Sequence, residues 1–374
     1  MAFVVQNVVS RGGIVPSNRP QILLVANPSV HERMLVPADV TRLEQFADFE
    51  WLACDVPFDR TTWTSVPEDT AATRSVAARI GNVDGLIVCH GSPRISTEIL
   101  DAAPRLKIIG ELEGDRFAAR IDVEAALARG IRVTDTTNGS SYGVAEWALG
   151  MMLNAVRNSS EVFRQLIAGG WRLPPDDHGF QRFELTGKKV GMIGLGIIGR
   201  RLVQLLQPFH CDIRAHDPYV PKEVADVLGV VLTSVDHIMA DSDVIVCVAP
   251  ITPKTHRMIG KRELDLIKPG SALVNVSRGP IFDPEATIER LSQGDITGAF
   301  DVWDPEPIPT DSPIRQLSNV FLTPHISSQT KDGHGRFFKI MVDELDRFFH
   351  GHETFYDLSV RTMANRFGAA PPNR

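Results

Sequence analysis

Short apolar runs alternate with segments of helical periodicity along the first third of the chain. Four of these runs predict buried strands, at residues 21–26, 84–89, 106–110 and 131–135. The segments between them have helical patterns at 39–49, 97–103 and 123–129. Alternation of strands and helices is typical of a parallel sheet that helices cover on both faces. We therefore expect the first third to form an α/β domain of its own.

The same alternation resumes after residue 187 and predicts a second parallel sheet. Its strands are expected at 190–193, 212–216, 230–232, 244–248, 272–276, 297–300 and 320–323. Helical patterns separate most of these strands, so we expect a doubly wound sheet.

Two long helical patterns lie outside these strand series. Residues 141–168 predict one helix that is apolar on more than one face, which is typical of a helix buried against two bodies at once. This helix is a candidate connector between domains. Residues 333–350 predict an amphipathic helix near the end of the chain.

Three glycines follow the strand predicted at 190–193 and precede a helix expected at 200–206. Gly194 permits a tight turn, Gly196 lets the backbone approach a pyrophosphate, and Gly199 lets the helix lie close to the strand. The free amide groups of the helix N-terminus then bind the phosphates. Asp217 lies about twenty residues beyond the glycines, where a carboxylate accepts both ribose hydroxyls of NAD and repels the 2′-phosphate of NADP. A glycine triplet alone could be a simple strand–helix turn, but this setting predicts an NAD site.

Composition narrows the class of protein. The 374 residues allow two or three domains, and 43% apolar residues are enough for two cores. A formal charge of −7 argues against a nucleic-acid partner. The four cysteines fit neither a disulfide framework nor a zinc site, so we expect buried thiols in a reducing cytoplasm and no metal. We find no signal-peptide pattern and no apolar run long enough to span a membrane.

Chemistry is expected where the strands of the second sheet end, because ligands of open α/β sheets bind outside the carboxyl ends of the strands. Arg278, Asp301 with Glu306, and His325 follow three of these strands. Arg278 can hold a carboxylate and a keto oxygen through its planar fork. His325 can donate a proton to the carbonyl oxygen as hydride reaches the carbon, and Glu306 can fix its tautomer and favour its charged form. Asp301 could accept a hydrogen bond from a nicotinamide carboxamide.

Each of these residues also has a purely structural interpretation. Arg278 before a glycine could be a solvated turn residue, Glu306 between prolines a surface acid, and His325 a buried structural histidine. Three complementary groups at three strand ends beside a nucleotide site favour the functional interpretation.

At this level of detail the chain resembles the D-isomer specific 2-hydroxyacid dehydrogenases. The resemblance covers about residues 84 to 350 and rests on five stretches: 187–200, 250–255, 268–279, 301–307 and 322–326. It implies a Rossmann NAD-binding domain at 138–332 and a discontinuous, flavodoxin-like substrate domain at 20–137 and 333–360. Terminal arms are then expected at 1–19 and 361–374.

The resemblance also implies roles for individual residues. Arg278 becomes the substrate anchor, Glu306 the partner of His325, and His325 the acid/base. The expected cofactor contacts are Gly194, Gly196, Ile197, Ile198, Gly199, Asp217, Pro250, Thr255, Val276, Ser277 and Asp301. A homodimer through the cofactor domain is expected, consistent with the apolar segment 144–153, although that segment could equally be internal.

One departure from the family concerns the substrate. Where the family has a short glycine-rich loop, this chain has the longer, acidic segment 111–117. Either this segment turns away from the pocket, or Arg116 offsets its acids and contacts a substrate substituent, or it is a solvated loop with no substrate role. His90 and Gly91, which end a strand of the first domain, are further candidate substrate contacts. Formate oxidation is disfavoured because that branch of the family has glutamine where Glu306 stands.

The sequence therefore predicts an NAD-dependent enzyme that interconverts a small anionic 2-oxo acid and its (R)-2-hydroxy acid. The alternative is an NAD(H)-sensing interaction protein of the corepressor type, which the resemblance leaves open because those proteins have a similar site.

Overall fold

The computed structural model describes residues 19–57, 69–113, 120–171, 182–358 and 362–364. Within these residues the strands form two parallel sheets, and α-helices connect most pairs of successive strands.

The first sheet has five strands in the order β2-β1-β3-β4-β5, and all its pairs are parallel. The strands are β1 (Gln21–Ala26), β2 (Asp48–Ala53), β3 (Gly85–Val88), β4 (Ile108–Glu111) and β5 (Arg132–Asp135). The helices described in this part are α1 (Pro28–Met34), α2 (Pro37–Phe46), α3 (Thr70–Arg79), α4 (Thr97–Asp101) and α5 (Val123–Ala128). This strand order is that of flavodoxin-like sheets, so the predicted fold class is confirmed for this part.

The second sheet has seven parallel strands in the order β12-β11-β10-β9-β6-β7-β8. The strands are β6 (Lys189–Ile193), β7 (Asp212–His216), β8 (Val231–Leu232), β9 (Val244–Cys247), β10 (Ala272–Asn275), β11 (Thr297–Phe300) and β12 (Val320–Leu322). The order reverses between β6 and β9, as in a Rossmann sheet. The predicted doubly wound sheet is therefore confirmed, with its switch point at the end of β6.

The helices around the second sheet begin in the middle of the chain. They are α6 (Ser141–Val156), α7 (Ser159–Ile167), α8 (Ile197–Leu206), α9 (Lys222–Val227), α10 (Val235–Asp241), α11 (Lys261–Asp265) and α12 (Pro284–Ser292). A last helix, α13 (Lys331–Phe349), follows β12. α6 packs with β6, β9 and β10 in one apolar core, through residues such as Ala148 and Met152 that are fully buried.

Two helix predictions were wrong. The pattern at 39–49 runs past the end of α2 at Phe46 into β2, an edge strand whose residues are mostly half-buried. The helix predicted over 141–168 is two helices, because Asn158 between α6 and α7 has left-handed backbone with φ 45°. Asparagine tolerates this conformation better than most residues, so the break is encoded by a single side chain.

The last helix, α13, returns to the first sheet. Phe338 and Met341 are fully buried in a core with Ile22, Leu24 and Ile108. A Cβ atom on Gly110 would lie 1.8 Å from the Met341 Cε, so the Met341 side chain of the helix packs directly over this glycine of β4. These contacts are those expected of a discontinuous domain, whose boundaries stay a prediction. Most of the predicted arms, at 1–18 and 365–374, lies outside the described residues.

In the parts of the chain that the structure describes, no helix has the length and hydropathy needed to cross a membrane.

Candidate active site

The glycine turn between β6 and α8 has the three properties that a dinucleotide turn requires. Gly194 has φ 99°, which side chains other than glycine rarely adopt. A Cβ atom on Gly199 would lie 2.8 Å from the Gly194 carbonyl oxygen, so the helix packs against the turn only because this residue is glycine. A Cβ atom on Gly196 would meet nothing within 4 Å. The turn therefore leaves open space at Gly196 where a pyrophosphate would approach, at the N-terminus of α8.

The predicted ribose acid, Asp217, lies at the end of β7 and holds the same turn. Its Oδ2 accepts a hydrogen bond from the Leu195 amide at 2.8 Å, and its Oδ1 accepts from the Tyr219 amide at 2.9 Å. Ile197 and Ile198 open α8 beside it, with Ile197 exposed. The acid is thus fixed beside the glycines, as NAD binding requires, and its contact with the ribose stays a prediction.

The other predicted cofactor contacts follow β9 and β10. A turn at 250–255 is closed by Thr255, whose hydroxyl donates to the Pro250 carbonyl at 2.7 Å and accepts from the Thr252 amide at 2.7 Å. Val276 and Ser277 are buried directly after β10. Both segments lie at the carboxyl edge of the sheet that also carries the glycine turn.

Arg278 stands beyond Ser277, and its neighbour Gly279 sets its position. A Cβ atom on Gly279 would lie 1.8 Å from the Trp303 carbonyl oxygen and 2.6 Å from the Asp304 amide nitrogen. The loop after β10 therefore packs directly against the backbone of the loop that carries Glu306. Burial lowers the pKa of the Arg278 guanidinium, and the negative charges of Glu306 and Glu113 oppose that shift. An arginine stays charged in such a setting, so a half-buried cation is present where an anionic substrate would need an anchor.

Glu306 and His325 form the predicted pair. The His325 Nδ1 lies 2.9 Å from the Glu306 Oε2, and the other carboxylate oxygen accepts a hydrogen bond from the Trp303 amide at 3.0 Å. Because a carboxylate oxygen only accepts, Nδ1 is the donor in this contact, and the predicted proton exchange with a substrate falls to the other ring nitrogen, Nε2.

The conformation of His325 is unusual, since its φ is 55° and it is not glycine. Asp301 holds this conformation. Its buried carboxylate accepts from the Thr323 hydroxyl at 2.6 Å, the Ile326 amide at 2.9 Å and the Ser327 amide at 3.0 Å, and its carbonyl accepts from the His325 amide at 2.8 Å. Strained backbone that is held on several sides is common at functional sites. Asp301 thus orients the histidine loop, and the predicted contact with nicotinamide stays a prediction.

The first sheet contributes residues from the carboxyl ends of β3 and β4. The His90 Nε2 lies 2.5 Å from the Glu113 Oε2, and the His90 carbonyl accepts from the Asn27 amide at 2.7 Å. Gly91 has φ 89°, and a Cβ atom there would lie 2.2 Å from the Cys54 carbonyl oxygen. Arg116 lies outside the described residues, so the substrate role predicted for it stays a prediction.

The acidic segment 111–117 begins with a buried ion pair. The Glu111 carboxylate contacts the Arg120 guanidinium, and both side chains are almost fully buried. The Glu111 carboxylate is therefore engaged by Arg120, whereas the charge of Glu113 acts on Arg278.

Known proteins share both the sequence pattern and the fold of this chain. Residues 149–327 match the sequence profile of the D-isomer specific 2-hydroxyacid dehydrogenase, NAD binding domain. The mitochondrial formate dehydrogenase of Solanum tuberosum is 36% identical over 262 residues, which are 69% of this chain and 68% of that protein. The chain belongs to the D-isomer specific 2-hydroxyacid dehydrogenase family. The resemblance inferred from the motifs and the predicted cofactor, NAD, are thereby confirmed.

Other members of the 2-hydroxyacid dehydrogenase family match over different shares of their length. The D-3-phosphoglycerate dehydrogenase of Methanocaldococcus jannaschii is 36% identical over 275 residues, which are 73% of this chain and 51% of that protein. The chain thus spans about half the length of this relative. The PH0520 protein of Pyrococcus horikoshii has a solved structure that superposes with a TM-score of 0.73, at 25% identity, over 93% of this chain and 97% of that one. The phosphoglycerate oxidoreductase of Rhizobium etli shares the fold, with a TM-score of 0.75 at 22% identity, over 91% of this chain and 98% of that one.

Sequence reasoning missed three features of this site. The pairing of His90 with Glu113 depends on the register of β3 and β4, which the sequence does not reveal. His334 on α13 is half-buried, and the charges of Arg33 and Glu113 act on it. The sequence predicted only that this residue lies in an amphipathic helix. Gly279 belongs to the stretch 268–279 on which the family resemblance rests, but its contact with the Trp303 backbone can be seen only in the folded structure.

Proposed function

We propose that this protein is an NAD-dependent oxidoreductase that interconverts a small 2-oxo acid and its (R)-2-hydroxy acid. The observation that carries the proposal is the His325–Glu306 pair, held at 2.9 Å on the edge of the sheet that also carries the glycine turn and Arg278. The activity of the whole protein is a proposal, because the chain spans only about half the length of relatives such as the D-3-phosphoglycerate dehydrogenase of Methanocaldococcus jannaschii.

The residues of the NAD site fit the cofactor. Gly194 forms the turn, Gly196 leaves space for the pyrophosphate, and Gly199 allows α8 to pack against the turn. The Leu195 amide donates a hydrogen bond to Asp217 and so fixes this acid beside the glycines. Bound NADH supplies the hydride that adds to the carbonyl carbon of the substrate. The negative charge of Asp217 favours NADH over NADPH.

The chain's own residues supply the rest of the reaction. Arg278 binds the substrate carboxylate and the keto oxygen through its fork. His325 donates the Nε2 proton to the carbonyl oxygen during reduction and accepts it from the hydroxyl during oxidation. Glu306 stabilises the protonated imidazole through Nδ1 and keeps the ring oriented. Asp301 supports the loop on which the ring stands.

The same pair argues against formate as the substrate. Oxidation of formate to carbon dioxide releases a hydride and requires no proton transfer at an oxygen atom. Reduction of a 2-oxo acid adds a proton to its carbonyl oxygen. The His325–Glu306 pair therefore serves as acid/base for a 2-oxo acid but not for formate. The relatives described above include dehydrogenases of both kinds, and their names favour an enzyme over the corepressor-like alternative.

NADH consumption tests the proposal. Purified protein is assayed against glyoxylate, hydroxypyruvate, pyruvate and formate plus NAD, with His325→Gln as the variant that lacks the acid. We expect turnover of at least one 2-oxo acid and loss of about two to four orders of magnitude in the variant. Tight NADH binding without turnover of any 2-oxo acid would refute the proposal.

We also propose a homodimer. The apolar side chains Phe163, Leu166 and Ile167 on α7 are between half and three-quarters exposed, and Trp171 beyond the helix is 76% exposed. Clustered exposed apolar residues are typical of an interface. Sedimentation analysis of the protein and of Phe163→Glu tests this, and a wild-type monomer at micromolar concentration would contradict it.

A cytoplasmic location is proposed on the state of the thiols. All four cysteines are free, with Cys89 and Cys247 buried and Cys54 and Cys211 half-buried. Free thiols persist in reducing compartments. Fractionation of cells that produce the protein checks this location.

A further inference from the structure

The turn that carries Arg278 is held by a buried side chain, that of Asn275. Asn275 is the last residue of β10 and is 1% exposed. Its Oδ1 accepts a hydrogen bond from the Ser277 amide at 3.0 Å, and its Nδ2 donates to the Arg278 carbonyl oxygen at 3.1 Å. Since one partner is an N–H and the other a carbonyl, the partners determine the orientation of the side-chain amide. Asn275 thus holds the backbone of the turn at two points.

Asn275 itself is fixed in the middle of the second sheet. β10 pairs with β9 on one side and with β11 on the other, in a register that sets Asn275 beside Cys247 and Phe300. Both of these neighbours are buried. The Asn275 carbonyl also accepts a hydrogen bond from the Asp301 amide at 3.0 Å. The turn is therefore held from a residue whose backbone is tied to the strands on either side.

The Arg278 side chain is tied to the same turn. The Arg278 amide donates to the Ser277 hydroxyl at 2.6 Å, and the Arg278 Nη1 donates to the Ser277 carbonyl at 2.6 Å. The Ser277 Oγ lies 3.4 Å from the Cys247 Sγ at the end of β9. The position of the guanidinium therefore depends on where the backbone of residues 277 and 278 lies, and Asn275 holds that backbone.

The turn requires an amide at residue 275. Asparagine is uncommon in strands, and a buried amide costs free energy unless its donor and its acceptor both find partners. Here both partners belong to the turn. Alanine would take these partners away from the Ser277 amide and the Arg278 carbonyl, and an ionised aspartate would accept but not donate. The side chain is thus matched to the turn and not to the strand on which it stands.

We propose that Asn275 is the positioning residue for Arg278, because it holds the turn from which the guanidinium reaches a 2-oxo acid. This inference rests on the proposed function. Asn275 acts on the substrate through Arg278 and makes no contact with the substrate itself. The effect of Asn275 on turnover should therefore disappear when the guanidinium is absent.

A double-mutant cycle tests this dependence. Values of kcat/KM for the best 2-oxo acid are measured in the wild-type protein, in Asn275→Ala, in Arg278→Ala and in the double variant. NADH is kept saturating, so that a change in cofactor affinity through Ser277 does not enter. Misplacing a catalytic group by about 1 Å costs on the order of a hundredfold in rate, so Asn275→Ala should lower kcat/KM about tenfold to a hundredfold when Arg278 is present. In the Arg278→Ala background the same change should have little effect.

Asn319→Ala is the matched control. The Asn319 Nδ2 donates to the carbonyl oxygens of Leu291 and Ile296 at 3.0 and 2.8 Å. Asn319 directly precedes β12, so it lies at the amino edge of the sheet, opposite the site. Its replacement removes two hydrogen bonds between a side chain and the backbone, as in Asn275→Ala. Asn319→Ala should lower the urea midpoint of unfolding and leave kcat/KM unchanged.

Asn275→Ser is the second variant and serves if Asn275→Ala does not fold. A serine hydroxyl can still accept from the amide two residues further along the chain, although more weakly than an asparagine does. The loss in kcat/KM should therefore be smaller than that expected for alanine, and it should again disappear in the Arg278→Ala background.

The outcomes distinguish two kinds of failure. A normal kcat/KM in Asn275→Ala would overturn the role of Asn275 alone. Equal losses with and without the Arg278 guanidinium, for either variant, would show a general structural effect and overturn that role as well. Absence of turnover of every 2-oxo acid by the wild-type protein would instead overturn the proposed function itself.

Discussion

The contact between Gly279 and the Trp303 backbone yields a sharp prediction for Gly279→Ala. A Cβ atom at residue 279 would lie 1.8 Å from the Trp303 carbonyl oxygen, whereas ordinary contact begins at 3.4 Å. The two loops must therefore separate by roughly 1.6 Å, the difference between these distances. The atoms involved belong to the backbone, so no side-chain rotation relieves the overlap. Arg278 stands on one of these loops and Glu306 on the other.

Misplacing catalytic groups by about 1 Å costs on the order of a hundredfold in rate. We expect Gly279→Ala to lower kcat/KM for the best 2-oxo acid about a hundredfold and to lower the free energy of unfolding by about 1–3 kcal/mol. Steady-state NADH oxidation measures the first effect and urea unfolding the second. NADH affinity should change much less, because the glycine turn lies elsewhere on the sheet edge.

Gly150→Ala is the matched control. Its Cβ atom would lie 3.7 Å from the Trp147 Cε3, an ordinary contact inside α6. This change should leave kcat/KM unaltered and stabilise the helix by roughly 0.5–1 kcal/mol. Normal activity together with normal stability in Gly279→Ala would refute the loop contact on which the site geometry depends.

Three further predictions concern the anchor, the cofactor and pH. Arg278→Ala should lower kcat by two or more orders of magnitude, because a charged hydrogen bond to the transition state is lost; steady-state kinetics check this, and a near-normal rate excludes the anchor role. Asp217→Asn should raise the NADPH-to-NADH ratio of kcat/KM about tenfold by removing about 1.4 kcal/mol of repulsion, and an unchanged ratio would reject the ribose contact. Burial, together with the charge of Arg33, lowers the pKa of His334 in the folded protein despite the opposing charge of Glu113. The unfolded chain then binds more protons near the ordinary pKa, so the free energy of unfolding should fall as pH drops from about 7.5 to 5.5. Urea unfolding of His334→Gln should show a weaker fall, and an identical fall would show that His334 does not contribute.

Much of the fold was predictable because its strands are buried on both faces. Continuous apolar runs such as 22–26 and 244–248 predict such strands, and they coincide with β1 (Gln21–Ala26) and β9 (Val244–Cys247) to within one residue at one end. β2 (Asp48–Ala53) was missed because it is a half-buried edge strand that begins two residues after α2 ends, so its residues extended the helical pattern. The break at Asn158 was missed because it depends on one left-handed residue within an apolar pattern.

The candidate site was predictable to the extent that strand ends determine it. Arg278, Glu306 and His325 follow neighbouring strands of one parallel sheet, so the rule on carboxyl ends brings them to one edge. Their detailed partners were not predictable, since those depend on loop conformation. Asp301 illustrates this, because its carboxylate is committed to the loop at 323–327 by three hydrogen bonds.

The central claim is that Arg278, Glu306 and His325 reduce a 2-oxo acid beside bound NADH. Its most direct test is the product formed from the best 2-oxo acid and NADH deuterated at the nicotinamide C4. The account predicts a 2-hydroxy acid of (R) configuration with deuterium at C2, formed by the wild-type protein and not detectably by His325→Gln. A product of (S) configuration, or equal yields from the two proteins, would contradict it.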